Sequence, residues 1–146
     1  MGRAWFRPFL WSSFAVLVVD QGTKAAARHL GPDAIAHNDE YALQLIGGAR
    51  LWLIAGTIVV MAAFVAVVSW LGRHLRVPPL FPALVVGGMV GNVVDRVRLG
   101  AVRDFLVTPW AICNVADVAI AVGIVVFAVA CAAGSWERRT FAAHGI

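Results

Sequence analysis

Charge is what this chain has least of. Asp, Glu, Lys and Arg make up 14% of it, where a soluble domain carries about 25%. So few charges cannot coat a water-soluble globule of 146 residues. Other absences narrow the chemistry. The histidines (His29, His37, His74, His144) are scattered and no His-Glu-x-x-His occurs, which argues against a zinc protease. None of the four serines sits in a Gly-x-Ser-x-Gly elbow, and neither cysteine has a neighbouring histidine. Glycine loops of the phosphate-cradling kind are missing too. Cys113 and Cys131 lie in apolar runs without metal-ligand spacing and read as small buried hydrophobes. No cofactor or metal site is expected. If the chain is a hydrolase, carboxylates are the catalysts left to it.

What is abundant is apolar surface: 61% of residues are hydrophobic and the mean hydropathy is +0.83. Four spans of near-membrane length can be read, at residues 9–27, 51–71, 79–97 and 111–133. The expected fold is therefore an all-α integral membrane protein, one domain over residues 1–146, with four transmembrane helices. The first span follows Arg3 and Arg7 as a signal peptide would. Asp20 and Lys24 occupy the place of a cleavage site, so a retained helix is expected. The net charge of +4 does not suggest nucleic acid, because the basic residues fall in small groups between spans, like headgroup anchors. Arg3, Arg7, Arg73, Arg76, Arg138 and Arg139 mark one side, which places both termini in the cytoplasm.

The acids are distributed unevenly. Alternating spans put Asp20, Asp33, Asp39, Glu40, Asp95, Asp104 and Asp117 toward the non-cytoplasmic face and leave Glu137 inside. A carboxylate at mid-membrane costs about 2.5–3.5 kcal/mol on insertion scales, less near the interface. Asp20, Asp95 and Asp117 therefore call for partners or a task. Asp20 and Lys24, four apart, share a helix face, as either a self-neutralising pair or part of a site. Gly22 between them is expected to admit a neighbouring helix. Asn92-Val93-Val94-Asp95 is echoed by Asn114-Val115-Ala116-Asp117, each stacking an amide beside a carboxylate. Arg96 is placed to hold Asp95 ionised. Gly87, Gly88 and Gly91 read as a packing seam. Asp104 lies in the short link before Asp117, and taken alone would pass for a solvated loop residue. The link of residues 29–50 is polar in its middle, and the alternation over 41–46 followed by Gly47-Gly48 allows a small hairpin or β-flap.

Together these pieces resemble the lipoprotein signal peptidase family, the type II signal peptidases. The resemblance rests on Asp20-Gln21-Gly22-Thr23-Lys24, Asn38, Gly-Gly-x-x-Gly-Asn-x-x-Asp-Arg over 87–96, Val102-Arg103-Asp104-Phe105 and Asn114-Val115-Ala116-Asp117. It implies four membrane helices and an aspartyl endopeptidase of the bacterial inner membrane. That enzyme would cut diacylglyceryl-modified prolipoproteins before the lipidated cysteine, with its site toward the non-cytoplasmic face. Carried onto this chain, the catalytic pair is Asp104 and Asp117, and Asp20, Lys24, Asn38, Asn92, Asp95, Arg96 and Asn114 support it. The implied partners are the lipidated substrate and membrane lipid, and a monomer is expected. Two features depart from the family pattern. Asp39-Glu40-Tyr41-Ala42 follows Asn38 in place of a Gly-Ala-Ala-Phe-like stretch, and the Asp104–Asp117 segment is short. The alternative from another class is a non-catalytic membrane paralogue or proton-coupled carrier using the same acids as a relay. Against a carrier, the second span carries no charged residue that would continue a polar path.

Overall fold

The computed structural model describes residues 2–31, 34–38, 50–75 and 77–143. Four helices carry it: α1 (Gly2–Ala27), α2 (Arg50–Leu75), α3 (Leu80–Leu99) and α4 (Val115–Ala143). Four short strands lie between them: β1 (Ala36–Asn38), β2 (Val102–Asp104), β3 (Leu106–Val107) and β4 (Ile112–Cys113). Strand β1 pairs antiparallel with β2, with Ala36 opposite Asp104 and Asn38 opposite Val102. Strands β3 and β4 form a hairpin, with Leu106 opposite Cys113 and Val107 opposite Ile112. The alternating stretch at 41–46 lies outside the described residues.

Helix α3 is the axis of the bundle, with α1 and α4 packed closely against it. Its glycines are the reason. A Cβ on Gly87 would stand 2.6 Å from the Ser13 carbonyl oxygen of α1, and one on Gly88 2.5 Å from the Ala116 carbonyl oxygen of α4. Two adjacent positions without side chains thus let backbones from two directions reach α3, as small residues do between membrane helices. Gly22 does not act this way. Among the described residues nothing lies within 4 Å of where its Cβ would sit, so none of them is the neighbour expected there.

Burial is inverted relative to a soluble protein. Lys24, Val68, Asn114, Asp20, Asp95 and Pro82 are the largest fully buried side chains. Ile58, Val59, Val60, Val67 and Trp70 of α2 and Val118, Val122, Ile124, Val125 and Val129 of α4 point outward. Apolar surface of that extent needs a non-aqueous neighbour. Leu80–Leu99 and Val115–Ala133 are long and apolar enough to cross a membrane, and α2 contributes a shorter apolar stretch, Ala55–Val68. At the end of the bundle away from the buried charges, Phe9, Ala83 and Val86 form a small apolar core, with Trp5, Met61 and Phe64 packed on it. Trp5 stacks on Phe9 at 5.3 Å and its indole N–H donates to the Val77 carbonyl at 3.3 Å.

The helices overrun the expected spans at two ends, since α1 begins at Gly2 rather than residue 9 and α4 runs to Ala143 rather than 133. The fourth span was expected from residue 111, yet α4 begins at Val115 because Ile112 and Cys113 are in a strand. Cys113 and Cys131 are half-buried rather than buried.

Candidate active site

The site is assembled from the end of α1, the end of α3, strand β2 and the first turn of α4. On α1, Asp20 and Lys24 are one helical turn apart, and Lys24 Nζ donates to Asp20 Oδ2 at 2.9 Å, both side chains fully buried. Lys24 also pairs with Asp95 Oδ2 at 3.1 Å and donates to Asn92 Oδ1 at 3.2 Å. One ammonium thereby ties α1 to two positions of α3 that are three residues apart and so share a face. Gly91 makes room for this: a Cβ there would stand 2.5 Å from Asp20 Oδ2.

Asp95 receives a second cation. Arg103 Nη2 donates to Asp95 Oδ1 at 2.6 Å, while Arg103 Nε and its backbone N–H donate to Oδ2 at 3.3 and 3.1 Å. A fork of this kind fixes both partners' orientation. The backbone bond fixes strand β2 itself, one residue before Asp104. Gln21 closes the ring: its Nε2 donates to Asp20 Oδ2 and Asp95 Oδ1 at 3.1 Å each, and its Oε1 accepts from Arg103 Nη2 at 2.8 Å.

The other carboxylates are met by amides. Asn92 Nδ2 donates to Asp117 Oδ1 at 2.8 Å. Asn114 serves both aspartates: its side-chain Nδ2 donates to Asp104 Oδ1 at 2.7 Å and its backbone N–H to Asp117 Oδ2 at 3.1 Å. Asn114 is also the N-cap of α4, since its Oδ1 accepts the Asp117 N–H at 3.0 Å. Asn114 and Asp117 thus form a reciprocal capping box at the helix start. Asp20 Oδ1 takes another amide of that first turn, the Ala116 N–H, at 3.0 Å. Negative carboxylates gathered at a helix N-terminus are in a favourable field. Asn92 joins the two groups, because its Oδ1 accepts from Lys24 and from Asn114 Nδ2, at 3.2 Å each.

Asp20, Asn92, Asp95, Asn114 and Asp117 therefore form one hydrogen-bonded cluster with Lys24, Gln21, Arg103 and Asp104. Asp104 is 2% exposed, far from a solvated loop residue, and Asp117 is half-buried. Among the described residues, no buried side-chain nitrogen or oxygen lacks a hydrogen-bond partner. A guanidinium found on Asp95 is that of Arg103, which sequence reading passed over. Asn38 ends β1 opposite Val102, and its side chain lies outside what the structure describes.

The family model for signal peptidase II matches residues 12–133. The chain belongs to the signal peptidase II family. It is 33% identical over 158 residues to a lipoprotein signal peptidase of Parasynechococcus marenigrum, with 94% of each chain covered. It is 35% identical over 150 residues to one of Pseudomonas putida, covering 87% of this chain and 88% of that one. The fold is shared with a bacterial membrane enzyme solved by the in meso method at 1.9 Å resolution. That likeness has a TM-score of 0.71 and 22% identity, over 84% of this chain and 91% of that one. Membership in a signal peptidase II family makes the chain a membrane-located protease. The outward apolar faces of α2 and α4 agree with that location. For a signal peptidase II, Gln21 and Arg103 are the residues that sequence reading missed. Gln21 lies inside the quoted Asp20–Lys24 motif, and Arg103 directly precedes Asp104, so adjacency was the available signal.

Proposed function

We propose that this chain removes signal peptides from diacylglyceryl-modified prolipoproteins, cutting before the lipidated cysteine with Asp104 and Asp117 as a catalytic pair. The observation that carries the assignment is the double use of Asn114. One residue donates to both carboxylates, from its amide side chain and from its backbone, and so ties both to itself. Helices α1, α2, α3 and α4 each cross the bacterial inner membrane, with both termini cytoplasmic and the carboxylate cluster near the outer face. The protein works as a monomer, and its apolar outer faces meet lipid.

In this reading the pair carries one proton between its two carboxyls, because like charges at close range resist double ionisation. The ionised member takes a proton from water as its oxygen adds to the scissile carbonyl, and the protonated member donates to the carbonyl oxygen. Collapse of the tetrahedral diol returns a proton to the departing amine. The products are a signal peptide with a new carboxylate and a lipidated cysteine with a free α-amino group. Neither aspartate is assigned a fixed role, since such pairs titrate as a unit. Asp20, Lys24, Asp95 and Arg103 supply a charge-balanced base under the pair, and Asn92 links that base to Asp117.

The test is purified protein incubated with a diacylglyceryl prolipoprotein and with its unlipidated twin. Cleavage of the lipidated form, with the twin cut at least about tenfold more slowly, is expected if remote lipid binding positions the bond. Equal cleavage of both would remove the lipid from the assignment, and cleavage of neither would remove the assignment.

A further inference from the structure

We infer that the β3–β4 hairpin is an interfacial anchor whose outer face and tip, Val107, Trp110 and Ile112, sit in the headgroup boundary of the bilayer. The inference rests on the membrane orientation proposed above, and three observations carry it. The first is the hairpin's sidedness. Val107 and Ile112 are cross-strand partners, so their side chains share one face, and they are 81% and 48% exposed. Trp110 at the tip is 92% exposed. Leu106 and Cys113, the other pair, are half-buried on the opposite face. The strand that carries this inner face leads into the site: the Phe105 N–H donates to the Cys113 carbonyl at 3.0 Å, and the next residue, Asn114, donates to Asp104 and Asp117. The outer face, on the other side of the hairpin, is exposed among the described residues.

The second observation is how the turn satisfies itself. Thr108 N–H donates to the Ala111 carbonyl at 2.9 Å, Thr108 Oγ1 donates to the same carbonyl at 2.5 Å, and Ala111 N–H donates back to Thr108 Oγ1 at 3.0 Å. Pro109 between them has no N–H to satisfy. A turn that pairs these groups internally sheds part of the penalty for leaving water. The third is position. The hairpin joins the end of α3 to the start of α4, whose membrane-capable stretch Val115–Ala133 begins directly after it. Its tip therefore lies at the level where hydrocarbon gives way to headgroups, and an indole with one polar edge favours that zone.

The experiment compares Trp110→Phe with the full-length wild type in phosphatidylcholine–phosphatidylglycerol vesicles, with and without lipid brominated high on the acyl chain. The difference emission isolates Trp110 from the other five tryptophans of the chain's six. The substitution is at an exposed position and keeps an aromatic ring, and detergent-extracted samples of both proteins check the fold. The expected result is a blue-shifted difference spectrum, quenched about twofold or more by bromolipid and little by aqueous iodide. A difference spectrum quenched by iodide and untouched by bromolipid would overturn the anchor. Quenching that appears on adding lipidated substrate carrying the bromine itself, and not from bromolipid alone, would overturn it in favour of substrate contact. Because fluorescence is read without turnover, an inactive protein would count against the proposed function and leave this measurement intact.

Discussion

Asp20 and Asp95 differ from Asp104 and Asp117 in the company they keep. The first two are ion-paired: Asp20 with Lys24, and Asp95 with both Lys24 and Arg103, at 2.6 to 3.1 Å. The second two are reached by amides, from Asn92 and from Asn114. An ion-paired carboxylate is held in one charge state, which suits a scaffold. A carboxylate met by a neutral amide is fixed in position by a donor that carries no charge, which suits proton exchange. By these partners the four acids divide into a base and the proposed working pair.

The largest effect that would break this comparison is at the working pair. Asp104→Asn or Asp117→Asn keeps size and most hydrogen bonding, and each should lower prolipoprotein cleavage by about a thousandfold or more, with the double variant little worse. Near-normal turnover in either, normalised to folded protein, would dissolve the division. The next effect is at the base. Lys24→Met strips the ammonium from two buried carboxylates, and breaking a buried pair costs about 3–5 kcal/mol. Denaturation in detergent should report that loss. Asp95→Asn should also lose stability while its folded fraction retains turnover. An Asp95→Asn protein as stable as wild type but inactive would move Asp95 into the working pair.

Arg103 sharpens the comparison, since it belongs to the base yet adjoins Asp104. Arg103→Lys keeps the charge and loses the fork, so it should lower kcat about tenfold with KM little changed, as a small displacement of a catalytic group does. A change confined to KM would make Arg103 a substrate contact. The smallest effects concern room rather than charge. Gly91→Ala places a methyl 2.5 Å from Asp20 Oδ2 and should cost about 1–3 kcal/mol as overpacking does. Gly22→Ala meets nothing within 4 Å and should be neutral or stabilising by up to about 1 kcal/mol through helix propensity. Equal melting points for the two would show that Gly91 is not a tight contact.

Much of this was readable before any coordinates. The helical pattern, the Asp20–Lys24 pairing and the convergence of Asp20, Asp95 and Asp117 follow from spacing and from alternation of spans. Arg103 was harder to foresee than Arg96, because it lies eight residues from Asp95 and beyond the end of the helix. The chain turns at Gly100, with φ of 83°, and brings Arg103 back along the end of α3 to Asp95. Gln21 left no trace in the hydrophobic pattern because a neutral polar residue beside an aspartate adds no period. The start of α4 was placed early because Ile112 and Cys113 are as apolar as the helix they precede. The Asn114–Asp117 spacing carried two messages, a helix cap and a site, and only the geometry shows that they are the same four residues.

That double duty has a dynamic consequence. Helix ends are where backbone hydrogen bonds open first and at least cost, yet the first turn of α4 is locked by the carboxylates of Asp20 and Asp117 and the amide of Asn114. Fraying of this turn and disassembly of the proposed catalytic pair are one event. The amide protons of Ala116 and Asp117 become local gauges of a competent site. Slow hydrogen exchange there should track the competent fraction of the protein, even in preparations where no substrate is at hand.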